Sequence, residues 1–249
     1  MTGAELDEEA HGGLIDHLTE LRSRLIWSLI GLFVGFLACW GFSDIIFDII
    51  RKPISPHLST ETGGLVFTAP MDKFLAHIKV SFLASVVVTC PFWIYQVWMF
   101  VAPGLYKNEK KAALAFIFLG SALFITGVLF VYYVVFPLAF QFLMGFGGET
   151  DVPMITIGDY LSFFITATLV FGLAFEMPLI LLILGTMGVV NAEMLSSKRR
   201  YAIVLLAILS AMATPPDMIS MFLMLAPMLL LYELSILLVR FTAAKAEPA

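Results

Sequence analysis

Phe100-Val-Ala-Pro-Gly-Leu-Tyr-Lys-Asn-Glu-Lys-Lys111 is a short hydrophilic island in an apolar chain. Uncharged sequence runs away from it on both sides, back to Val80 and onward from Ala112. Pro103 and Gly104 stop the incoming helix, because proline cannot donate to it and glycine frees the backbone to turn. Lys107, Lys110 and Lys111 then decide which side of a membrane the island faces. One acid, Glu109, sits among those cations. It reads either as a surface charge balancing its lysines or as half of a pair with a second acid in a similar setting, Glu20.

Composition sets the class. Of 249 residues 60% are hydrophobic and only 13% charged, where a soluble domain carries about 25% charge. The mean hydropathy is +0.96. Several uncharged runs exceed the roughly 18 to 20 residues that cross a bilayer as helix. They are continuously apolar, not alternating, which excludes a β-barrel. The chain is therefore expected to be all-α, a polytopic membrane protein. The basic residues are scattered in short loops, so no nucleic-acid partner is expected. Cys39 and Cys90 lie inside apolar spans and read as packing residues. Glu5, Asp7, Glu8 and Glu9 replace the cationic start of a secretory signal, so the first span is expected to stay in the mature protein.

Taken in order, residues 1–13 are expected to be disordered. Residues 14–24 read as an amphipathic surface helix, with Leu14, Leu18, Leu21 and Leu25 on one face and His17, Glu20 and Arg24 on another. Spans are predicted over 25–42, 77–101, 112–137, 160–188, 201–213 and 218–239, in a single membrane domain. The connection from Ser43 to Phe74, with Pro53, Pro56, Gly63, Gly64 and Pro70, reads as short helices and turns forming a cap. Pro91 predicts a kink in the second span. The third apolar run, Ala112 to Leu143, is longer than a bilayer needs, and Pro137 is expected to break its far end. Placing the N-terminus inside puts 10 of the 14 cations on the cytoplasmic side. The positive-inside rule thus selects six spans with both termini cytoplasmic.

No nucleophile constellation, phosphate loop or metal-binding spacing is present, so neither enzyme activity nor a cofactor is expected. Glu176 is the strongest physical signal. An acid at mid-helix depth costs about 2.5–3.5 kcal/mol on insertion scales and usually faces a cavity or a partner. The alternative is a neutral carboxyl bonded to backbone that Pro178 frees. Glu233 is nearer a span end, and Asp217 after Thr-Pro-Pro reads first as a turn or helix cap. Glu20 and Glu109 are either neutralised by cations of the chain itself or together suit guanidinium groups from a partner, since bidentate geometry favours arginine over lysine. Such bonds contribute about 1.5–3 kcal/mol each and less when exposed, whereas micromolar binding needs about 8 kcal/mol. An apolar segment of the partner must supply the rest.

Four motifs carry a resemblance: His17-Leu-Thr-Glu-Leu-Arg-Ser-Arg24, Gln96-Val-Trp-Met-Phe-Val-Ala-Pro-Gly-Leu-Tyr-Lys-Asn-Glu109, Phe171-Gly-Leu-Ala-Phe-Glu-Met-Pro178 and Thr214-Pro-Pro-Asp217. In order and spacing they closely resemble TatC, the signal-peptide receptor family of the twin-arginine translocase, from about Leu14 to Arg240. The resemblance implies a concave, glove-like arrangement of six helices in the inner (cytoplasmic) membrane. It implies binding of twin-arginine signal peptides on folded precursors, assembly with the single-span partners TatA and TatB, self-association, and export driven by the proton-motive force without nucleotide. By matching position, Glu20 and Glu109 receive the two arginines, with Leu21, Arg22, Phe100, Pro103, Gly104 and Leu105 shaping that surface. Glu176 and Gln96 are implied as polar sites toward partner helices, with Pro53 and Asp217 serving assembly or function. Asp72 stands where the family pattern has Glu, and Met221 where some members are polar.

A proton-coupled transporter of a small solute, with Glu176 as the coupling carboxylate, is the competing reading. It predicts internal repeats, and none is visible. The short last pair of spans, 201–213 and 218–239, further suggests local thinning of the bilayer, with simple burial of short helices as the alternative.

Overall fold

The computed structural model describes residues 3–58, 64–101, 110–145, 154–214 and 217–246. Among them the chain is almost wholly helical: α1 Gly3–Trp40, α2 Ser43–Arg51, α3 Asp72–Val88, α4 Cys90–Val101, α5 Lys110–Phe130, α6 Phe136–Gly145, α7 Ile157–Phe175, α8 Met177–Thr186, α9 Ala192–Ser197, α10 Arg199–Ala213 and α11 Met218–Ala246. Four helical stretches are long and apolar enough to cross a membrane, and five if α3 and α4 count as one bent span. The protein is thus an all-α, multi-pass membrane protein.

The first 40 residues differ from expectation. Where a disordered start and a separate surface helix were expected, α1 runs unbroken from Gly3 to Trp40. Strong helix formers (Ala4, Glu5, Leu6, Glu8, Glu9, Ala10) fill its start, and no proline separates residues 14–24 from the apolar run. Small residues then let α1 lie close to α3 and α4. A Cβ on Gly31 would meet the Phe92 ring at 2.5 Å, and one on Gly35 the Thr89 methyl at 2.5 Å. The Ser85 hydroxyl donates to the Leu32 carbonyl at 2.6 Å, tying α3 to α1 inside the apolar zone.

The second apolar run breaks at Thr89, where α3 and α4 meet at 57°. Pro91 cannot donate to the carbonyl a turn before it. Across the break, the Thr89 hydroxyl bonds the Ser85 carbonyl at 2.7 Å and the Trp93 indole the Val86 carbonyl at 3.0 Å. The third run does not end at Pro137. A π-helical turn, Val131–Val135, widens the helix just before that proline, and the helix resumes as α6 to Gly145. Leu114–Gly145 is accordingly one apolar stretch of 32 residues, about 48 Å long at 1.5 Å per residue.

Phenylalanines fill the core between α3, α5, α6 and α7. Phe124, Phe136 and Phe171 are fully buried, and Phe136 stacks on Phe164 with ring centroids 4.4 Å apart. The connection from α2 to α3 folds over one end of this core. Its Val66 pairs with the strand-like approach to α7: Val66 N–H donates to Ile155 at 2.9 Å, and Ile157 N–H to Val66 at 2.8 Å. Two tyrosines hold α2 down. Tyr132 donates to the Ile49 carbonyl at 2.8 Å and buried Tyr160 to the Ile50 carbonyl, satisfying groups that a helix C-terminus leaves open. Tyr160→Phe is therefore expected to cost about 1–3 kcal/mol, because the buried Ile50 carbonyl loses its donor. Thermal unfolding of the purified protein measures this, and an unchanged midpoint would show that the clamp contributes nothing.

The last third packs around α11. Gly185 of α8 brings a would-be Cβ within 2.9 Å of Val239. Gly188, at φ +73°, then turns the chain out of α8 in the left-handed conformation that ends many helices. Asn191 caps α9 by accepting from Met194 N–H at 2.7 Å. α10 has 15 residues, about 22 Å against roughly 30 Å of hydrocarbon. At its start Arg199 forms a forked ion pair with Glu233, at 2.7 and 2.9 Å.

Candidate functional site

Two polar sites interrupt the apolar helices. The first lies where α1 and α4 meet. Glu20 and Arg24 are one turn apart on α1, and their side chains pair at 3.3 Å. The other arm of the same guanidinium reaches the Gln96 side-chain oxygen on α4 at 3.5 Å, across 72 residues of sequence. One guanidinium therefore lies between two acceptor oxygens, one from each helix. Glu20 and Arg24 are each about one-third exposed or less, and Gln96 is buried. Phe100, half-buried, lies one turn beyond Gln96 on α4, while Leu21 and Arg22 are exposed on α1. Glu109, Pro103, Gly104 and Leu105 lie outside the described residues.

The spacing of Glu20 and Arg24 made their pairing legible in the sequence. Gln96 was not. The resemblance grouped it with polar sites toward partner helices; the structure places its side chain against Arg24. Nothing along the chain signals that contact, which depends on how α4 is rotated against α1.

The second site is Glu176. It occupies the turn between α7 and α8, where Pro178 restarts the helix. The side chain is 8% exposed, and its Oε1 has no hydrogen-bond partner. The alternative of a carboxyl bonded to freed backbone is thus not met at that oxygen. Instead Glu176 lines a cavity of about 400 Å³ with Trp93, Trp98, Phe116 and Ile180. The buried Trp98 indole nitrogen on the same lining also lacks a partner. An orphan acceptor and an orphan donor therefore lie on one apolar cavity, and each costs about 1–3 kcal/mol until satisfied. Gly120 of α5 leaves room for the carboxyl, since a Cβ there would sit 3.3 Å from Oε2.

The remaining residues are local. Asp217 caps α11, accepting from Ser220 N–H at 2.6 Å, as its position after Thr-Pro-Pro suggested. Pro53 is half-buried in the turn after α2. Asp72 accepts from Thr68 and Ala69 N–H groups at 2.8 and 2.7 Å and from the Thr68 hydroxyl at 3.0 Å, closing the turn into α3. The described residues hold no cluster of three or more His, Cys, Asp or Glu side chains fit for a metal ion.

Residues 16–227 match the family model of the Sec-independent protein translocase protein, TatC. The chain belongs to the TatC family. It is 40% identical over 238 residues to the Sec-independent protein translocase protein TatC of Koribacter versatilis, covering 94% of this chain and 88% of that one. The TatC protein of Helicobacter pylori is 39% identical over 224 residues, covering 90% and 86%. A crystal structure of the twin-arginine translocase receptor TatC in DDM superposes with a TM-score of 0.82 at 36% identity, covering 90% of this chain and 99% of that one. TatC proteins are translocase components rather than enzymes, and the chain is a multi-pass membrane component of a Sec-independent translocase. This kinship leaves a proton-coupled solute transporter unfavoured.

Proposed function

We propose that this TatC-family chain is the core receptor of a twin-arginine translocase, binding the twin-arginine signal peptides of folded precursors at the face that bears Glu20. The observation that carries the reading is the Arg24 guanidinium lying between Glu20 and Gln96, acceptors that a partner's arginine suits equally well. Glu109 serves as the second acid. Leu21, Arg22, Phe100, Pro103, Gly104 and Leu105 form the surrounding surface.

In this reading six spans, counting α3 with α4 and α10 as a short fifth, cross the inner membrane with both termini cytoplasmic. The chain self-associates and assembles with TatA and TatB, and the proton-motive force drives export. Glu176 faces a partner helix. The open acceptor on Glu176 and the open donor on Trp98 support this, because a side-chain amide from such a helix satisfies both. Pro53 and Asp217 act in assembly.

The test is binding of a twin-arginine signal peptide to the purified, detergent-solubilised protein. Affinity is expected to fall about ten-fold for a twin-lysine peptide, and by a similar factor for Glu20→Ala and for Glu109→Ala. Ten-fold is the lower end of what a charge-assisted bond contributes, as suits a Glu20 side chain that is one-third exposed. Binding indifferent to arginine and to both acids would remove the receptor reading.

A further inference from the structure

We propose that the cavity between α2, α3, α5 and α7 binds a membrane-soluble phenol, a single ring whose hydroxyl pairs with Thr168. The inference stands apart from the receptor reading and shares no residue with it.

Three observations build the site. The first is an open hydroxyl. Thr168 is 2% exposed within α7, and its Oγ1 has no hydrogen-bond partner. A helical hydroxyl commonly bonds the carbonyl one turn back. Other hydroxyls of this chain do so: Ser81 donates to His77 at 2.7 Å, Ser121 to Ile117 at 2.7 Å and Ser235 to Leu231 at 2.6 Å. Thr168 makes no such bond to Phe164, which lies one turn before it on the same cavity wall.

The second is the cavity itself, about 200 Å³, walled by Ile50 of α2, Ala84 of α3, Val128 of α5, Tyr132, and Phe164 and Thr168 of α7. Ile49 and Val88 also line it, and their exposure marks where it opens to the side. The third is the backbone. Tyr132 belongs to the π-helical turn Val131–Val135, a distortion that recurs at functional sites. Its ring walls the cavity, while its hydroxyl already donates to the Ile49 carbonyl.

Size and polarity select the occupant. A cavity of about 150 Å³ holds benzene, so this one takes a single substituted ring, not a peptide helix or a whole lipid. A water needs about two to four polar partners, and the lining offers one open oxygen. The end of an acyl chain fits by volume but leaves the Thr168 hydroxyl unsatisfied, whereas a ring that carries a hydroxyl pairs with it. The flat faces of Tyr132 and Phe164 suit a ring as well. Such a ligand touches four elements at once, so occupancy holds α2 against the core.

The experiment follows para-fluorophenol and fluorobenzene by fluorine NMR with the full-length protein in detergent, empty micelles serving as the blank. The protein is expected to bind the phenol about five-fold more tightly than fluorobenzene, as one net hydrogen bond contributes. Its thermal midpoint is expected to rise with phenol concentration. Thr168→Val keeps the shape and removes the oxygen, so the two ligands are expected to bind it equally, while Thr168→Ser keeps the preference. Ala84→Leu fills the cavity and is expected to weaken both ligands about ten-fold or more. If Ala84→Leu fails to fold, the two Thr168 variants decide the matter alone. Equal affinity of the two ligands for the unaltered protein, a preference for the phenol that survives Thr168→Val, or binding no better than to empty micelles overturns the proposal. Affinity unmoved in a folded Ala84→Leu protein overturns it too.

Discussion

Glu176→Leu is expected to stabilise the isolated protein by about 1–3 kcal/mol and to lower export severely. The Oε1 atom is buried on an apolar cavity without a partner, so removing the carboxyl removes an unsatisfied group. Leucine fills similar space with atoms that suit Trp93, Trp98 and Ile180. Export falls in the proposed role because the partner helix then meets no acceptor. The measurements are the thermal midpoint of the purified variant and the rate of precursor export in cells that depend on it. A destabilised variant would mean that the carboxyl supports the fold. A stabilised variant that exports normally would mean that the cavity receives no polar partner. Retaining a costly group for activity is a common trade between stability and function.

Gly127→Leu is expected to cost at least about 3 kcal/mol, enough to prevent recovery of folded protein. A Cβ at this position would lie 2.7 Å from the Phe171 carbonyl oxygen and 3.0 Å from the Phe175 side chain. The nearer obstacle is backbone, which cannot rotate away, so α5 and α7 must separate. Overpacking a core costs about 1–3 kcal/mol even where side chains can adjust. Gly158→Ala is the contrasting variant. Its nearest neighbour would be 3.9 Å away, and alanine favours the helix by about 0.5–1 kcal/mol over glycine. Yield and thermal midpoint of the two variants read the difference. Well-folded Gly127→Leu protein would show that the close approach of α5 and α7 is dispensable.

The sequence by itself determined that this is a helical membrane protein, because hydropathy and period are properties of consecutive residues. It determined the apolar runs, the intramembrane position of Glu176 and, through four motifs, the TatC resemblance that kinship then established. Local chemistry was legible as well: Asp217 as a cap, and Glu20 with Arg24 one turn apart. The breaks were less so. Pro91 marked a bend, but the break falls at Thr89, where side-chain hydroxyl and indole donors reach back to Ser85 and Val86. Pro137 did not end its helix, because a π turn before it absorbs the missing hydrogen bond. Only the tertiary structure decided which distant groups meet. Gln96 lies beside Arg24, Trp98 shares a cavity with Glu176, and Tyr132 and Tyr160 hold the end of α2. Those meetings depend on the rotation, tilt and crossing of packed helices. In a chain that is apolar on nearly every face, the local pattern leaves that rotation open, and the glycines and core phenylalanines settle it by contact.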